Sequence, residues 1–139
     1  MKKNESIKHI MVSDVRTITM LDTLSSVRAI FLEQGGHHLP VVEGKKLIGL
    51  LSYTDLQRID SGELYKQDPK QADALLDGLS SVRETMTQNL MTLESSASVR
   101  EATEILANNS FHSVPIIENN ELCGIVTSTD LLKYYLKAY

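Results

Sequence analysis

The chain has 139 residues, 42% of them hydrophobic and 23% charged, a balance typical of a soluble globular protein and not of a disordered one. Its formal net charge of −4 excludes the strongly basic surface that non-specific nucleic-acid binding requires. No apolar run approaches the roughly 20 residues of a membrane span. The start "MKKNESIKHI" has no apolar stretch of the kind that signal peptides carry. We therefore expect a cytoplasmic protein whose partners include neither nucleic acid nor a membrane.

The first part of the chain predicts a short series of elements. It opens with an amphipathic piece carrying Ile7, Ile10 and Met11, which the extended stretch "VRTITM" follows. A helix is predicted after the N-cap candidate Thr23, and it ends at "GG". Two apolar runs, "HLPVVE" and "KLIGLLS", predict paired strands joined by "GKK". A last helix is predicted to start near Thr54.

The same order of elements returns later in the chain. Shifted by 75 residues, the sequence matches itself without a gap from Met11 to Arg58, so that "LPVV" meets "VPII" and "LIGLL" meets "LCGIV". The second helix of this kind has Ser98 as its N-cap candidate, and Glu101 completes a capping-box pattern. The final helix is predicted to start near Thr129. Cys123 falls in a predicted strand and is expected to be an apolar core residue, not a nucleophile.

The repeat predicts the fold class. Each copy reads as a β-α-β-β-α unit, and a sheet of so few strands is too small to be stable alone. We expect an α+β (α/β-like) fold in which two such repeats pack through their sheets with pseudo-twofold symmetry. The predicted bounds are 1–60 for repeat 1, 61–79 for a linker with a short helix in "KQADALLD", and 80–139 for repeat 2, as one integrated pair.

The most specific part of the repeat is an octamer, "GLLSYTDL" at Gly49–Leu56 and "GIVTSTDL" at Gly124–Leu131. One interpretation is helix capping, with the Thr of each octamer as N-cap and Asp55 or Asp130 in the first turn, where a carboxylate complements the helix dipole. The other is a ligand site. A helix N-terminus attracts anions, and a carboxylate accepts two hydrogen bonds from a vicinal diol, which suits a ribose that carries a phosphate.

These octamers, the h-P-h-h strands and the opening segments together resemble the tandem CBS-domain pair, or Bateman module. The resemblance covers roughly residues 7–60 and 80–137. It implies a regulatory module that binds adenosine-containing ligands, namely AMP, ADP, ATP or S-adenosylmethionine, in two clefts between the repeats. It implies neither catalysis nor a required cofactor.

The resemblance also implies roles for individual residues. Asp55 and Asp130 would hold the ribose diol. The hydroxyls expected to serve ribose or phosphate belong to Ser52, Thr54, Thr127 and Thr129. The residues expected to face the phosphates are His37, His38, His112 and Ser113. The backbone expected to contact adenine belongs to Arg16, Thr17, Met91 and Thr92.

The phosphate positions favour a ligand of low charge. They hold histidines and a serine instead of the Arg or Lys that tight polyphosphate binding prefers, so AMP is favoured over ATP. One cleft is expected to combine Asp130 with His37 and the other Asp55 with His112. No accompanying Cys or His pattern supports a metal site at these histidines.

Two other functional classes were weighed against ligand sensing. A purely structural dimerisation or interaction module would use the octamers only as helix caps. An enzyme would need a nucleophile, a base and an orienting group, and no such set is visible in the sequence. By resemblance we also expect a homodimer. Because the pair leaves no residues for an effector domain, we expect signalling to an unknown effector protein in trans.

Overall fold

The structure, a computed structural model, describes residues 4–59 and 68–139, which form a mixed α+β fold. The α-helices are α1 Leu24–Gln34, α2 Tyr53–Ile59, α3 Pro69–Leu79, α4 Val82–Thr85, α5 Val99–Ala107 and α6 Ser128–Ala138. The strands are β1 His38–Glu43, β2 Lys46–Ser52, β3 Leu93–Glu94, β4 Ser113–Glu118 and β5 Glu121–Thr127. The predicted fold class is confirmed, while residues 60–67 of the predicted linker region lie outside the described residues.

The chain divides into two compact units whose bounds do not follow the order of the sequence. The first-repeat unit comprises Arg16–Gly44 and Ile48–Leu90. The second-repeat unit comprises Met1–Val15, Lys45–Leu47 and Met91–Tyr139. Each unit therefore includes an opening segment that the sequence places at the start of the other repeat.

The first-repeat unit is built around a β-hairpin and two helices. Strands β1 and β2 are neighbours, and Gly44 in their connection has φ 65°, which a glycine adopts without strain. Thr23 caps α1 as predicted, because its side chain accepts a hydrogen bond from the Ser26 N–H. The core residues are Ile18, Leu24, Val27, Phe31, Leu39, Val41, Leu51, Leu56, Ala72, Leu76 and Val82.

Helix α3 lies over the predicted "KQADALLD" helix and belongs to the core of this unit. Ala72 and Leu76 are buried, and Asp68 caps the helix by accepting the Gln71 N–H. Asp77 near its end accepts the Ser25 N–H at 2.8 Å and the Ser25 hydroxyl at 2.7 Å. Helix α3 therefore also supplies the anion that the first turn of α1 favours.

The second-repeat unit repeats the hairpin. Strand β4 pairs antiparallel with β5, and Asn119 and Asn120 in the turn both have positive φ, as a two-residue hairpin turn requires. Strand β3 pairs parallel with β4. Ser98 caps α5 as predicted by accepting the Glu101 N–H. The core residues are Ile7, Ala97, Val99, Ala102, Leu106, Val114, Ile116, Val126 and Leu131.

The extended stretches that open each repeat form less strand than predicted. "VRTITM" contributes a single parallel bridge between Ile18 and Val41, and "LMTLES" contributes only the two residues of β3. The hairpin strands, in contrast, coincide with the four predicted apolar runs.

The amphipathic opening segments complete the cores. Ile7 is fully buried in the second-repeat unit, and its N–H donates to the Ala97 carbonyl at 2.9 Å. Val82, which stands 75 residues later, is fully buried in the first-repeat unit. Apolar area of this kind stabilises a small unit substantially, at roughly 25 cal/mol per Å² removed from water.

Each opening segment lies against the glycine of an octamer. A Cβ added at Gly124 would stand 2.6 Å from Met11 Sδ and 3.0 Å from the Val12 carbonyl oxygen. A Cβ added at Gly49 would stand 2.5 Å from Met86 Sδ. The octamer glycine is therefore required because a methionine of the opening segment fills the space of its side chain.

We predict that Gly49→Ala and Gly124→Ala each lower the free energy of unfolding by about 1–3 kcal/mol, because the added methyl displaces methionine and backbone atoms. Urea denaturation measures the change. Gly78→Ala is the matched control. A Cβ there meets nothing within 4 Å, so this change inside α3 should be neutral or add up to about 1 kcal/mol. Unchanged stability of both octamer variants would contradict this account of the glycines.

Candidate ligand-binding site

The octamers form capping boxes at the junctions from β2 to α2 and from β5 to α6. The Thr127 hydroxyl accepts the Asp130 N–H at 3.1 Å, and Asp130 Oδ2 accepts the Thr127 N–H at 2.9 Å. In the first repeat the Ser52 hydroxyl accepts the Asp55 N–H at 3.1 Å, and Asp55 Oδ2 accepts the Ser52 N–H at 2.9 Å. The two junctions thus have the same geometry.

The prediction that the octamer threonines cap these helices is wrong. The caps are Ser52 and Thr127, whereas Thr54 and Thr129 are exposed residues of the first turn. The physical reason is the S/T-x-x-D spacing, which lets a hydroxyl and a carboxylate three residues apart satisfy each other's backbone N–H. This spacing is visible in the sequence and would have identified the caps.

The capping boxes fix the orientation of both aspartates. Asp55 and Asp130 are half-buried, and each uses one oxygen, Oδ2, in the cap. Oδ1 is not part of the cap and can accept hydrogen bonds from another group. At Asp55 this oxygen lies 3.7 Å from a guanidinium nitrogen of Arg58, whose side chain is 77% exposed. No corresponding ion pair of Lys133 occurs among the described residues.

The predicted phosphate-facing residues lie beside these corners. The His37 carbonyl accepts the Tyr53 N–H at 3.0 Å, and the His112 carbonyl accepts the Ser128 N–H at 2.9 Å. Both imidazoles are exposed. Because these carbonyls and the caps occupy N–H groups of the first turn, fewer donors remain for an anion. The corners therefore favour recognition of donor groups by the carboxylate over anion binding by the helix end.

Ser113 differs from the other predicted residues because its hydroxyl is buried without a partner. The residue is 4% exposed, and no other buried side-chain polar atom of the described residues lacks a hydrogen bond. It pairs with Thr127 in the β4–β5 register. At the equivalent position in the first repeat, His38 is half-buried.

The residues predicted to contact adenine lie at the same sheet end as the corner in each unit. Thr92 precedes Leu93, which begins β3 and pairs with Ile116. Since β3 runs parallel to β4, its start lies at the edge where β4 starts with Ser113. In the first-repeat unit, Thr17 likewise precedes a parallel bridge to β1 at Ile18. Arg16 and Met91 are exposed. The combination of residues from different repeats stays a prediction.

A second polar cluster lies at the other end of β4. Glu118 accepts hydrogen bonds from the Ser95 hydroxyl at 2.7 Å and from Lys8 Nζ at 3.3 Å. These two donors, the serine first, lower the pKa of the Glu118 carboxyl. Burial raises the pKa of the Cys123 thiol, which therefore remains protonated at neutral pH. The cluster ties the opening segment to β4.

Metal and membrane sites were also considered. Within residues 4–59 and 68–139, no group of three or more His, Cys, Asp or Glu side chains is arranged to hold a metal ion. None of the helices in these ranges has the length and apolarity that crossing a bilayer demands.

The sequence profile of the CBS domain matches residues 7–62 and 82–137. The chain belongs to the CBS domain family. Its bounds agree with the 75-residue repeat, and each CBS repeat carries one capped aspartate.

Curated relatives are longer proteins. Inosine-5′-monophosphate dehydrogenase of Korarchaeum cryptofilum is 27% identical over 87% of this chain, which spans 22% of that enzyme. The uncharacterized protein MJ1225 of Methanocaldococcus jannaschii is 26% identical over 96% of this chain and 48% of its own length. The chain thus spans less than half the length of these relatives.

Solved structures share the fold. The crystal structure of MJ1225 has a TM-score of 0.81 at 24% identity, covering 97% of this chain and 49% of that one. CBSX2 in complex with AMP has a TM-score of 0.80 at 20% identity, covering 96% and 98%. The CBS domain pair of MJ0100 in complex with 5′-methylthioadenosine and S-adenosyl-L-methionine has a TM-score of 0.78 at 20% identity, covering 98% and 99%.

The unpartnered hydroxyl of Ser113 leads to a prediction with a matched control. Ser113→Ala should raise the free energy of unfolding of the ligand-free protein by about 1 kcal/mol, because it removes a buried group without a hydrogen bond. Ser95→Ala should have the opposite sign, since Ser95 is also buried but donates to Glu118. Thermal and urea unfolding of both variants tests the pair. Destabilisation by Ser113→Ala would indicate that its hydroxyl does have a partner.

Proposed function

We propose that this CBS pair is a non-catalytic regulatory module that binds an adenosine-containing ligand, with AMP favoured over ADP, ATP or S-adenosylmethionine. The observation that carries the proposal is the pair of capped aspartates. In each, one carboxylate oxygen is held by the backbone at 2.9 Å and the other is available to a ligand. Such a fixed acceptor suits the vicinal diol of a ribose, because its orientation requires no ordering upon binding.

The ligands of structural neighbours support the choice of an adenosine compound. CBSX2 was solved with AMP, and the MJ0100 domain pair with 5′-methylthioadenosine and S-adenosyl-L-methionine. All three ligands contain adenosine, and they differ in the charge of the 5′ substituent. The exposed histidines His37 and His112 provide little fixed positive charge near neutral pH, which favours a monophosphate or an uncharged tail.

The output of the module is part of the same proposal. A ligand shifts an equilibrium between two states only through its different affinities for them. We propose that the protein acts as a homodimer that signals to a separate effector protein in trans, and that it acts in the cytoplasm. Exposed leucines on α6, Leu132 at 64% and Leu136 at 75%, offer apolar contacts for a second chain.

These exposed leucines also favour the second candidate, a dimerisation module without a ligand. In that case the capping boxes only stabilise α2 and α6. The two candidates differ in one observable, because only a ligand-binding module gains stability from a nucleotide.

We predict that AMP raises the stability of the wild-type protein by about 2.7 kcal/mol at 100 times its dissociation constant, and that 2′-deoxy-AMP, which lacks the diol, raises it less. Asp55→Asn combined with Asp130→Asn keeps an oxygen for each cap but replaces the outward acceptor by a donor. The affinity for AMP should then fall at least about tenfold. Calorimetry and thermal shift with AMP, ADP, ATP and S-adenosylmethionine measure these effects.

Asp22→Asn is the matched control for this experiment. Asp22 accepts the Thr19 N–H at 2.7 Å, which is the same local bond three residues back, but it lies outside the octamers. Its substitution should leave the affinity for AMP unchanged. Absence of any stabilisation at millimolar nucleotide, or equal binding by the double Asn variant, rejects ligand sensing and leaves the structural candidate.

A further prediction concerns the difference between the corners. The Arg58 guanidinium competes for Asp55 Oδ1, and exposed pairs of this kind are worth about 0.2–1 kcal/mol. Asp130→Asn should therefore reduce the affinity for AMP more than Asp55→Asn does. Arg58→Leu should strengthen the binding that remains in Asp130→Asn by up to about fivefold. Calorimetry on the single variants decides, and a larger loss in Asp55→Asn would contradict the ranking.

A further inference from the structure

The two methionines on the octamer glycines occupy equivalent places in their units. Met11 and Met86 stand 75 residues apart, and both side chains are half-buried. The Met11 sulfur fills the side-chain space of Gly124, and the Met86 sulfur fills that of Gly49. The other described methionines, Met20 and Met91, are 36% and 47% exposed.

Each of these sulfur atoms lies next to the hydrogen bonds that attach an opening segment. Val12 and Ile125 exchange two backbone hydrogen bonds, of 2.9 and 3.0 Å, directly after Met11 and Gly124. In the other unit Thr87 follows Met86 and exchanges bonds of 2.9 and 3.0 Å with Leu50. Displacement of either methionine would therefore act on the residue that forms this bridge.

Oxidation changes what a methionine can contact. A hydroperoxide transfers one oxygen atom to the thioether: the O–O bond breaks, an S–O bond forms, sulfur loses two electrons, and the peroxide is reduced to water or an alcohol. The product is a larger, polar side chain whose new oxygen only accepts hydrogen bonds. At Gly124 the nearest backbone polar atom to the filled space is the Val12 carbonyl oxygen, and at Gly49 it is the Thr87 carbonyl oxygen. Both are acceptors as well.

We propose that Met11 and Met86 are oxidation sites that control the attachment of the opening segments: formation of the sulfoxide removes the side chain from its glycine and opens the adjacent backbone bridge. Partial exposure makes the thioethers accessible to a small oxidant. The absence of room at the glycine couples the modification to structure, since the sulfoxide cannot lie where the sulfur lies. Reduction of the sulfoxide by a thiol-dependent reductase reverses the step.

The experiment compares one chain before and after oxidation. The full-length protein with Cys123→Ala, which removes the thiol as a competing target, is treated with increasing hydrogen peroxide. Peptide mass spectrometry locates each sulfoxide, and amide hydrogen exchange follows Val12, Ile125, Leu50 and Thr87. We expect Met20 and Met91 to be oxidised first without effect on these amides. Oxidation at Met11 or Met86 should reduce protection at the adjacent bridge by about tenfold or more.

Two double variants serve as controls. Met11→Leu with Met86→Leu keeps the apolar contact but cannot form a sulfoxide, so its bridges should stay protected in peroxide. Met20→Leu with Met91→Leu should respond like the parent protein. Full oxidation of Met11 and Met86 with unchanged protection overturns the proposal, as does equal loss of protection in the first variant. The parent experiment alone remains decisive if that variant does not fold, and none of these readouts depends on nucleotide binding.

Discussion

The absence of a side chain at one position of each hairpin is the constraint on which both units depend. Gly124 and Gly49 allow a second chain segment to lie directly on the strand, with a methionine sulfur where a Cβ would be. This close approach brings backbone groups within hydrogen-bonding distance and carries Ile7 or Val82 into the core. A larger residue would separate the segment from the strand, and the core would lose its fully buried aliphatic side chain.

Helix capping and ligand recognition, which compete as explanations of the octamer in the sequence, use different atoms of the same side chain. Oδ2 of Asp130 satisfies the Thr127 N–H, while the Thr127 hydroxyl satisfies the Asp130 N–H. The same bonds fix the direction of the second carboxylate oxygen. A carboxylate held in this way gains selectivity because a ligand must present its donors in one place. The cap thus supports the proposed recognition and does not argue against it.

Sequence patterns predicted local structure well and tertiary partners poorly. The hairpin strands and the caps of α1 and α5 followed from apolar runs and from Thr23 and Ser98. The caps of α2 and α6 were misplaced by two residues because several hydroxyls precede each helix. The packing partner of Ile7 could not be predicted, since an apolar pattern shows that a face is buried but not against what. The orphan hydroxyl of Ser113 likewise depends on neighbours that only the fold brings together.

The placement of the opening segments has a consequence for how such a protein can arise and be rearranged. A gene fragment that encodes residues 16–60 lacks Val82, and one that encodes residues 91–139 lacks Ile7, although each residue is fully buried in the corresponding unit. Neither fragment encodes a complete hydrophobic core. The smallest portion of this gene that can be transferred between proteins with its cores intact is therefore the pair of repeats, or one repeat whose product meets a second copy able to donate the missing segment.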